Sequence, residues 1–189
     1  MTWAIGATNQ LGAYGVVVSD IQVTFKDGST ADIVRKAYPV GPYLIGAFAG
    51  SVYIGFELLT SISQFLRLPP DAPSNACWVP AIAADKWAPI AKQVYENAPA
   101  EERALEAQFL LVGPHPTEDG MPGRAIPYIC KFSSPTFKPQ ITRNGDSAIS
   151  IGSGATVPKY IEAVSDALDI NNGMLQAEIG NTGGWAKQA

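Results

Sequence analysis

The order of elements along the chain predicts an α+β domain in which antiparallel sheets and helices form separate layers. Strand patterns fill residues 2–49, helical patterns fill 51–107, strand patterns return over 109–151, and a further helical pattern follows. Strands and helices therefore come in runs, which favours antiparallel sheets over alternating βαβ units. Neither an internal repeat nor an interdomain linker interrupts this order, so residues 1–189 are expected to form a single domain.

The first run is predicted to contain five short strands, at 2–8, 15–19, 21–25, 33–40 and 43–49. Asp27-Gly28 is typical of a hairpin because both residues tolerate positive φ. The segment Pro39-Val40-Gly41-Pro42 indicates a turn before the fifth strand. Together these strands are expected to make one antiparallel run.

Helical periodicity begins at Ser51 and ends at Leu68-Pro69-Pro70, since proline cannot donate the N–H that a continuing helix needs. A second helical region covers 81–107, with an interruption near Pro89 and a new short helix starting at Pro99. Further strands are predicted at 109–112, 126–132 and 140–151, and a third helix after Gly152-Ser153-Gly154.

Composition and charge narrow the classes of function. Hydrophobic residues make up 47% of the chain and charged residues 16%, so part of the apolar surface is expected to face partner subunits. A net charge of −4 offers no basic footprint for nucleic acid or an anionic membrane. Because the chain also lacks a long apolar span and a secretory leader pattern at its start, a cytoplasmic protein is expected.

The two cysteines and the single histidine carry no metal or redox pattern. Cys77 and Cys130 lie far apart with no second pair beside either, which favours ordinary thiols over a zinc site or a disulfide framework. His115 lies in Gly113-Pro114-His115-Pro116, a turn-like setting typical of a loop histidine. Neither a metal nor an organic cofactor is expected.

Thr2 is a candidate nucleophile, because initiator methionine is commonly trimmed before a residue as small as threonine. A free N-terminal threonine carries its own base, since the α-amine titrates near pH 8 and can accept the hydroxyl proton. Very many proteins begin with Met-Thr, however, so these two residues alone favour an ordinary N-terminus.

Two charged residues interrupt strand-like segments. Asp20 ends the apolar strand Val16–Ser19, and Lys36 follows Ile33-Val34-Arg35. An unpaired buried charge is costly, so each residue is expected to be the partner of the other. Such a pair either holds two strands together or, beside a nucleophile, lowers the pKa of the amine and stabilises developing negative charge.

Two glycine-rich turns connect a strand to a helix. Gly46–Gly50 is followed by a helix, so the amide of Gly50 is a candidate oxyanion donor, although the same pattern is typical of an ordinary tight turn. Gly152-Ser153-Gly154 repeats the arrangement, and Ser153 is either a helix N-cap or a hydroxyl in a proton network.

These segments together resemble the β-type subunits of proteasomes and, most closely, the bacterial proteasome-related peptidase of the HslUV system. The resemblance spans about residues 2–168 and is strongest over the first sixty-five. The matching segments occur in the same order: an initial Thr2, Val17-Val18-Ser19-Asp20, Val34-Arg35-Lys36, Gly46-Ala47-Phe48-Ala49-Gly50 and Ile151-Gly152-Ser153-Gly154.

The resemblance implies the N-terminal nucleophile hydrolase fold, a four-layer αββα sandwich with two antiparallel sheets between helical layers. It also implies a role for each matching residue. Thr2 would be the nucleophile, Lys36 would tune its amine, and Asp20 would orient that lysine. The Gly50 amide would be the oxyanion donor, Ser153 would lie near the terminal amine, and Phe48 would line an apolar substrate pocket.

The resemblance further implies a threonine peptidase that acts on polypeptides inside a ring or stacked rings of its own copies, alone or with an ATPase unfoldase. Two alternatives share the fold. A small-molecule amidase usually carries larger insertions than this compact chain contains. A non-catalytic assembly subunit would retain Met1 and would have no need for Thr2, Asp20 and Lys36 together.

Overall fold

The computed structural model describes residues 3–9, 14–25, 27–72, 78–115, 126–143, 147–160 and 162–163. Its strands are β1 (Trp3–Asn9), β2 (Tyr14–Ser19), β3 (Gln22–Thr24), β4 (Thr30–Asp32), β5 (Ala37–Gly41), β6 (Leu44–Gly50), β7 (Ala107–His115), β8 (Ile126–Ser133), β9 (Gln140–Thr142) and β10 (Ser147–Gly152). Its helices are α1 (Val52–Phe65), α2 (Pro80–Asn97) and α3 (Ala100–Arg103), and a 3-10 turn covers Ser153–Thr156. The predicted combination of antiparallel sheets with separate helices is confirmed.

The larger sheet contains five strands in the order β5-β6-β7-β8-β9, and all neighbouring pairs are antiparallel. Side chains alternate between its faces, so Phe109 and Leu111 lie on the side of the helices while Leu110 and Val112 lie on the side of a smaller sheet. The continuous apolar run of β7 follows from this position, because both faces of the strand are covered.

Helices α1 and α2 cover one face of the larger sheet. Trp87 of α2 is fully buried, and its ring centroid lies 5.1 Å from those of both Phe109 and Phe132. The predicted interruption at Pro89 is wrong, since α2 continues through this residue. Burial of the apolar face of α2 outweighs the one backbone hydrogen bond that proline removes. The short helix predicted at Pro99 is present as α3, and the chain leaves helical structure before β7.

The smaller sheet contains three strands in the order β10-β1-β2 and packs on the other face of the larger sheet. The residues buried between the two sheets are small or branched and apolar: Ala4, Ala47, Ala49, Leu110, Val112, Ile129 and Ile151. The helices, the larger sheet and the smaller sheet therefore form three successive layers. The candidate site lies where the N-terminal end of β1 meets the C-terminal ends of β2, β6 and β10.

Some predicted strands are divided between sheets. Of residues 33–40, only those from Ala37 onward join β5, while residues 33–36 form no strand. Residues 140–151 form β9 and β10, which belong to different sheets. The expected single run of five strands is wrong, because β3 pairs with β4 in a separate two-stranded sheet.

The chain divides into two compact units, Met1–Ala155 and Thr156–Ala189. In the second unit, residues 158–160 and 162–163 are helical, at the position predicted for the start of the third helix. The rest of that helix lies outside the described residues, so the fourth layer and the single domain stay predictions. Among the helices that the structure describes, none combines the length and apolar character needed to cross a bilayer.

Candidate active site

A partly buried ion pair joins the end of β2 to the segment before β5. The ammonium of Lys36 contacts Asp20 Oδ1 and also donates to the backbone carbonyl of Gln22. The side chain of Lys36 is 1% exposed and that of Asp20 is 27% exposed. Two oxygen acceptors offset the cost of removing this ammonium from water. The predicted contact between Asp20 and Lys36 is confirmed.

Asp20 also binds the start of β1. The N–H of Trp3 donates to Asp20 Oδ2 at 2.8 Å, and the N–H of Asp20 donates to the carbonyl of Trp3 at 3.0 Å. One oxygen of the carboxylate therefore contacts the Lys36 ammonium while the other accepts a backbone N–H of β1. The carboxylate links the first strand to the buried lysine.

Gly50 ends β6 in a conformation that favours glycine. Its φ is +95°, and a Cβ atom at this position would lie 1.4 Å from the carbonyl oxygen of Glu106. The N–H groups along a strand point alternately to its two sides, and in β6 that of Phe48 donates to the carbonyl of Lys36 at 3.1 Å. The N–H of Ser51, the residue after β6, donates to the carbonyl of Glu106 at 3.3 Å. The N–H of Gly50 therefore points to the same side of β6 as that of Phe48, towards the segment that carries Lys36.

Ser153 begins the 3-10 turn that follows β10. Gly152, the residue before it, pairs with Trp3 in the register of β10 and β1 and donates its N–H to Gln108 Oε1 at 2.7 Å. Gln108 lies in β7 directly opposite Ala49 of β6. This side chain therefore connects the Ser153 turn to the strand end that carries Gly50.

The Gly50 turn has a second connection that the sequence did not indicate. The hydroxyl of Ser51 donates to Glu102 Oε2 at 2.6 Å and accepts the N–H of Ile54 at 3.1 Å. Ser51 is 1% exposed, so this hydroxyl lies inside the protein. No local motif identifies Glu102, because its partner is fifty-one residues away along the chain. Gln108 could have been predicted from the sequence as a functional candidate, because it is the one polar residue in a buried, apolar strand segment.

Four of the predicted site residues, Asp20, Lys36, Gly50 and Ser153, lie towards the same end of the two sheets. Asp20 and Lys36 are in contact. Gly50 lies two residues along β6 from Phe48, whose N–H binds the carbonyl of Lys36. Ser153 follows Gly152, the partner of Trp3 in the register of β10 and β1. Thr2, the predicted nucleophile, lies outside the described residues.

Phe48 does not form a pocket surface, which corrects its predicted role. Its side chain is 0% exposed, and Gly55 of α1 lies so close that a Cβ there would be 2.1 Å from the Phe48 ring. The ring is buried because its strand position faces α1. The aromatic residue that covers it, Phe56, has its ring centroid at 5.4 Å and is 40% exposed.

Cys130 and His115 lie elsewhere in the larger sheet. Cys130 is buried, and burial together with the negative charge of Asp85 raises the pKa of its thiol to about 12. The thiol is therefore protonated at neutral pH, as expected of an ordinary buried cysteine, and Cys77 lies outside the described residues. His115 belongs to β7 and pairs with Ile126, so the predicted loop position is wrong.

Comparison with solved structures shows that the chain has a proteasome-like fold. One match is the crystal structure of eukaryotic HslV from Trypanosoma brucei, with a TM-score of 0.55 over 88% of this chain and 80% of that chain. The two sequences are 18% identical, so the likeness is one of fold. No protein-family profile and no curated protein matches the sequence.

Proposed function

We propose that the chain is a threonine peptidase subunit, in which removal of Met1 frees Thr2 to attack a peptide carbonyl. The observation that carries this proposal is the Asp20 carboxylate, which accepts the Trp3 N–H at 2.8 Å and contacts the Lys36 ammonium. Trp3 is covalently bonded to Thr2, and the same carboxylate binds the Trp3 N–H and the Lys36 ammonium. Thr2 would therefore lie a short distance from a buried positive charge.

A buried ammonium at this position suits the chemistry of an N-terminal nucleophile. Its charge opposes protonation of the Thr2 amine, which then accepts the proton of the Thr2 hydroxyl. The same charge stabilises the oxygen of Thr2 as it becomes negative during attack. Asp20 fixes the ammonium of Lys36 and would thus act as its orienting residue.

Gly50 and Ser153 complete the proposed site. The N–H of Gly50, on the Lys36 side of β6, would donate to the carbonyl oxygen of the substrate as it gains charge. The register of β1 and β10 pairs Trp3 with Gly152. If this register continued by one residue, Thr2 and Ser153 would lie opposite each other.

The proposal includes assembly. A four-layer αββα domain covering residues 1–189 would form a closed ring or stacked rings in the cytoplasm, with its sites facing an inner chamber. Polypeptides would be the substrates, reaching the chamber unaided or through an ATPase unfoldase. Exposed aromatic and aliphatic side chains, among them Tyr43 at 73% and Ile33 at 66%, support contacts between subunits.

Peptide libraries are expected to show cleavage after apolar residues. With Phe48 buried, the apolar surface beside the site is carried by Phe56 and by Tyr38, whose ring centroids lie 6.1 Å apart. Tyr38 follows Lys36 by two residues, so this surface adjoins the proposed site. A preference for charged residues before the cleaved bond would show that another surface selects the substrate.

The experiment that tests the proposed function is the intact mass of the purified protein before and after incubation with a peptide epoxyketone. This reagent needs both a threonine hydroxyl and a free amine on the same residue. Loss of one methionine and gain of a single adduct are expected for the natural sequence. Thr2→Ala is the matched control, since it loses the methionine but has no hydroxyl to react.

Two results would contradict the proposed function. A protein that retains Met1 and gains no adduct would indicate a non-catalytic assembly subunit. An adduct that forms equally in Thr2→Ala would place the nucleophile at another residue.

A further inference from the structure

We propose that Glu102 is a positioning residue, which fixes the Gly50 amide through the hydroxyl of Ser51. This inference rests on the proposed peptidase function, in which the Gly50 N–H binds the oxygen of the scissile carbonyl. The role assigned to Glu102 is to hold that donor still, without touching the substrate.

A glycine that donates to a developing oxyanion needs an external constraint. Glycine has more backbone freedom than any other residue, and Gly50 is held at a φ of +95°. The residue after it is constrained at every polar atom. In Ser51, the N–H donates to Glu106, the carbonyl accepts from Gly55 at 2.9 Å, and the hydroxyl binds both Ile54 and Glu102.

Of these hydrogen bonds, the one from Ser51 to Glu102 is expected to constrain the Gly50–Ser51 turn most strongly. At 2.6 Å it has the length of a hydroxyl bound to a carboxylate, a charge-assisted hydrogen bond about twice as strong as a neutral one. It also forms where Ser51 is 1% exposed, so water does not replace it readily.

Glu102 itself is held by the backbone of its own segment. Its N–H donates to the carbonyl of Pro99 at 3.0 Å, and its carbonyl accepts the N–H of Leu105 at 3.1 Å. The same segment continues to Glu106, whose carbonyl oxygen lies against Gly50. One segment therefore holds the Gly50–Ser51 turn at two points, by a side chain at 102 and by a backbone carbonyl at 106.

Kinetics of three variants test this role. Glu102→Ala is expected to lower kcat for a peptide substrate about tenfold with KM unchanged, because a loosened donor weakens binding of the transition state alone. Glu102→Gln keeps an oxygen acceptor and is expected to restore kcat to within about twofold of the natural protein. Glu101→Ala, which removes an exposed glutamate from the same helical turn, is the matched control and is expected to leave both constants unchanged.

Hydrogen exchange of the peptide that spans residues 49–54 provides a readout independent of turnover. Exchange is expected to be faster in Glu102→Ala than in the natural protein, Glu102→Gln and Glu101→Ala. If Glu102→Ala does not fold, Glu102→Asp tests the same contact, since the shorter side chain withdraws the carboxylate while keeping its charge.

The two failures are distinguishable. If the natural protein shows neither turnover nor an epoxyketone adduct, the proposed function is refuted. Faster exchange in Glu102→Ala would then show only that Glu102 holds the turn, and Glu102 would have no part in catalysis. If the natural protein is active, either of two results overturns the inference about Glu102. One is a Glu102→Ala variant that keeps its kcat, and the other is a loss of kcat that Glu102→Gln does not restore.

Discussion

Replacement of Lys36 by methionine is expected to reduce peptide hydrolysis by about a thousandfold or more. Methionine fills a similar volume but has no charge, so under the proposed mechanism nothing at this position would oppose protonation of the Thr2 amine or stabilise the attacking oxygen. The loss should appear in kcat, measured with a fluorogenic peptide, because in the proposed mechanism the ammonium acts on the reacting atoms. Epoxyketone labelling should slow in parallel, since it uses the same nucleophile and base.

The fold is expected to survive this substitution. Asp20 is left without its ammonium, but its side chain is 27% exposed and keeps the N–H of Trp3 as a donor. We expect the free energy of unfolding to fall by about 1–3 kcal/mol, the usual cost of a buried polar group that loses one partner.

Lys131→Met is the matched control for Lys36→Met. The ammonium of Lys131 also donates to a backbone carbonyl, that of Ser150 at 3.4 Å, but it lies between the two sheets and contacts neither Asp20 nor Gly50. Its activity should therefore remain close to that of the natural protein. Equal activity in both variants would show that the Asp20–Lys36 pair is a purely structural link between two strands.

Local signals predicted most of the architecture. Helix α1 follows directly from the apolar periodicity that begins after Ser51, and β7 from a continuous apolar run. The Asp20–Lys36 contact was predictable because the cost of an unpaired buried charge is a general constraint. Gly50 could be identified from its place between a strand and a helix.

The features that the sequence did not predict depend on long-range contacts. Residues 33–36 have the composition of a strand, yet the contacts of Lys36 with Asp20 and Gln22 take them out of the sheet. The burial of Phe48 depends on the approach of Gly55 from the next element, and the hydrogen bond of Glu102 joins it to a partner fifty-one residues away. No periodicity or turn signal encodes such distances.

Replacement of Gly50 by alanine is expected to lower the free energy of unfolding by more than about 4 kcal/mol, in the range that marks exceptional substitutions. The added Cβ would lie 1.4 Å from the carbonyl oxygen and 2.5 Å from the carbonyl carbon of Glu106. Both atoms belong to the backbone, so no side-chain rotation relieves the clash, and the chain at 106 has to move away from β6. Urea unfolding measures the loss, and the soluble yield reports it if the variant does not purify.

Gly28→Ala separates the clash from the cost of backbone conformation. Gly28 also has a positive φ, +83°, but a Cβ there would have no heavy atom within 4 Å. Alanine at this position is expected to cost about 1–2 kcal/mol, the usual penalty of the left-handed region for a residue with a Cβ. The difference between the two variants measures how tightly Glu106 is packed on Gly50. A Gly50→Ala protein as stable as Gly28→Ala would mean that segment 102–106 yields without cost, and the Gly50 amide would then lack the rigid support that the proposed oxyanion donor requires.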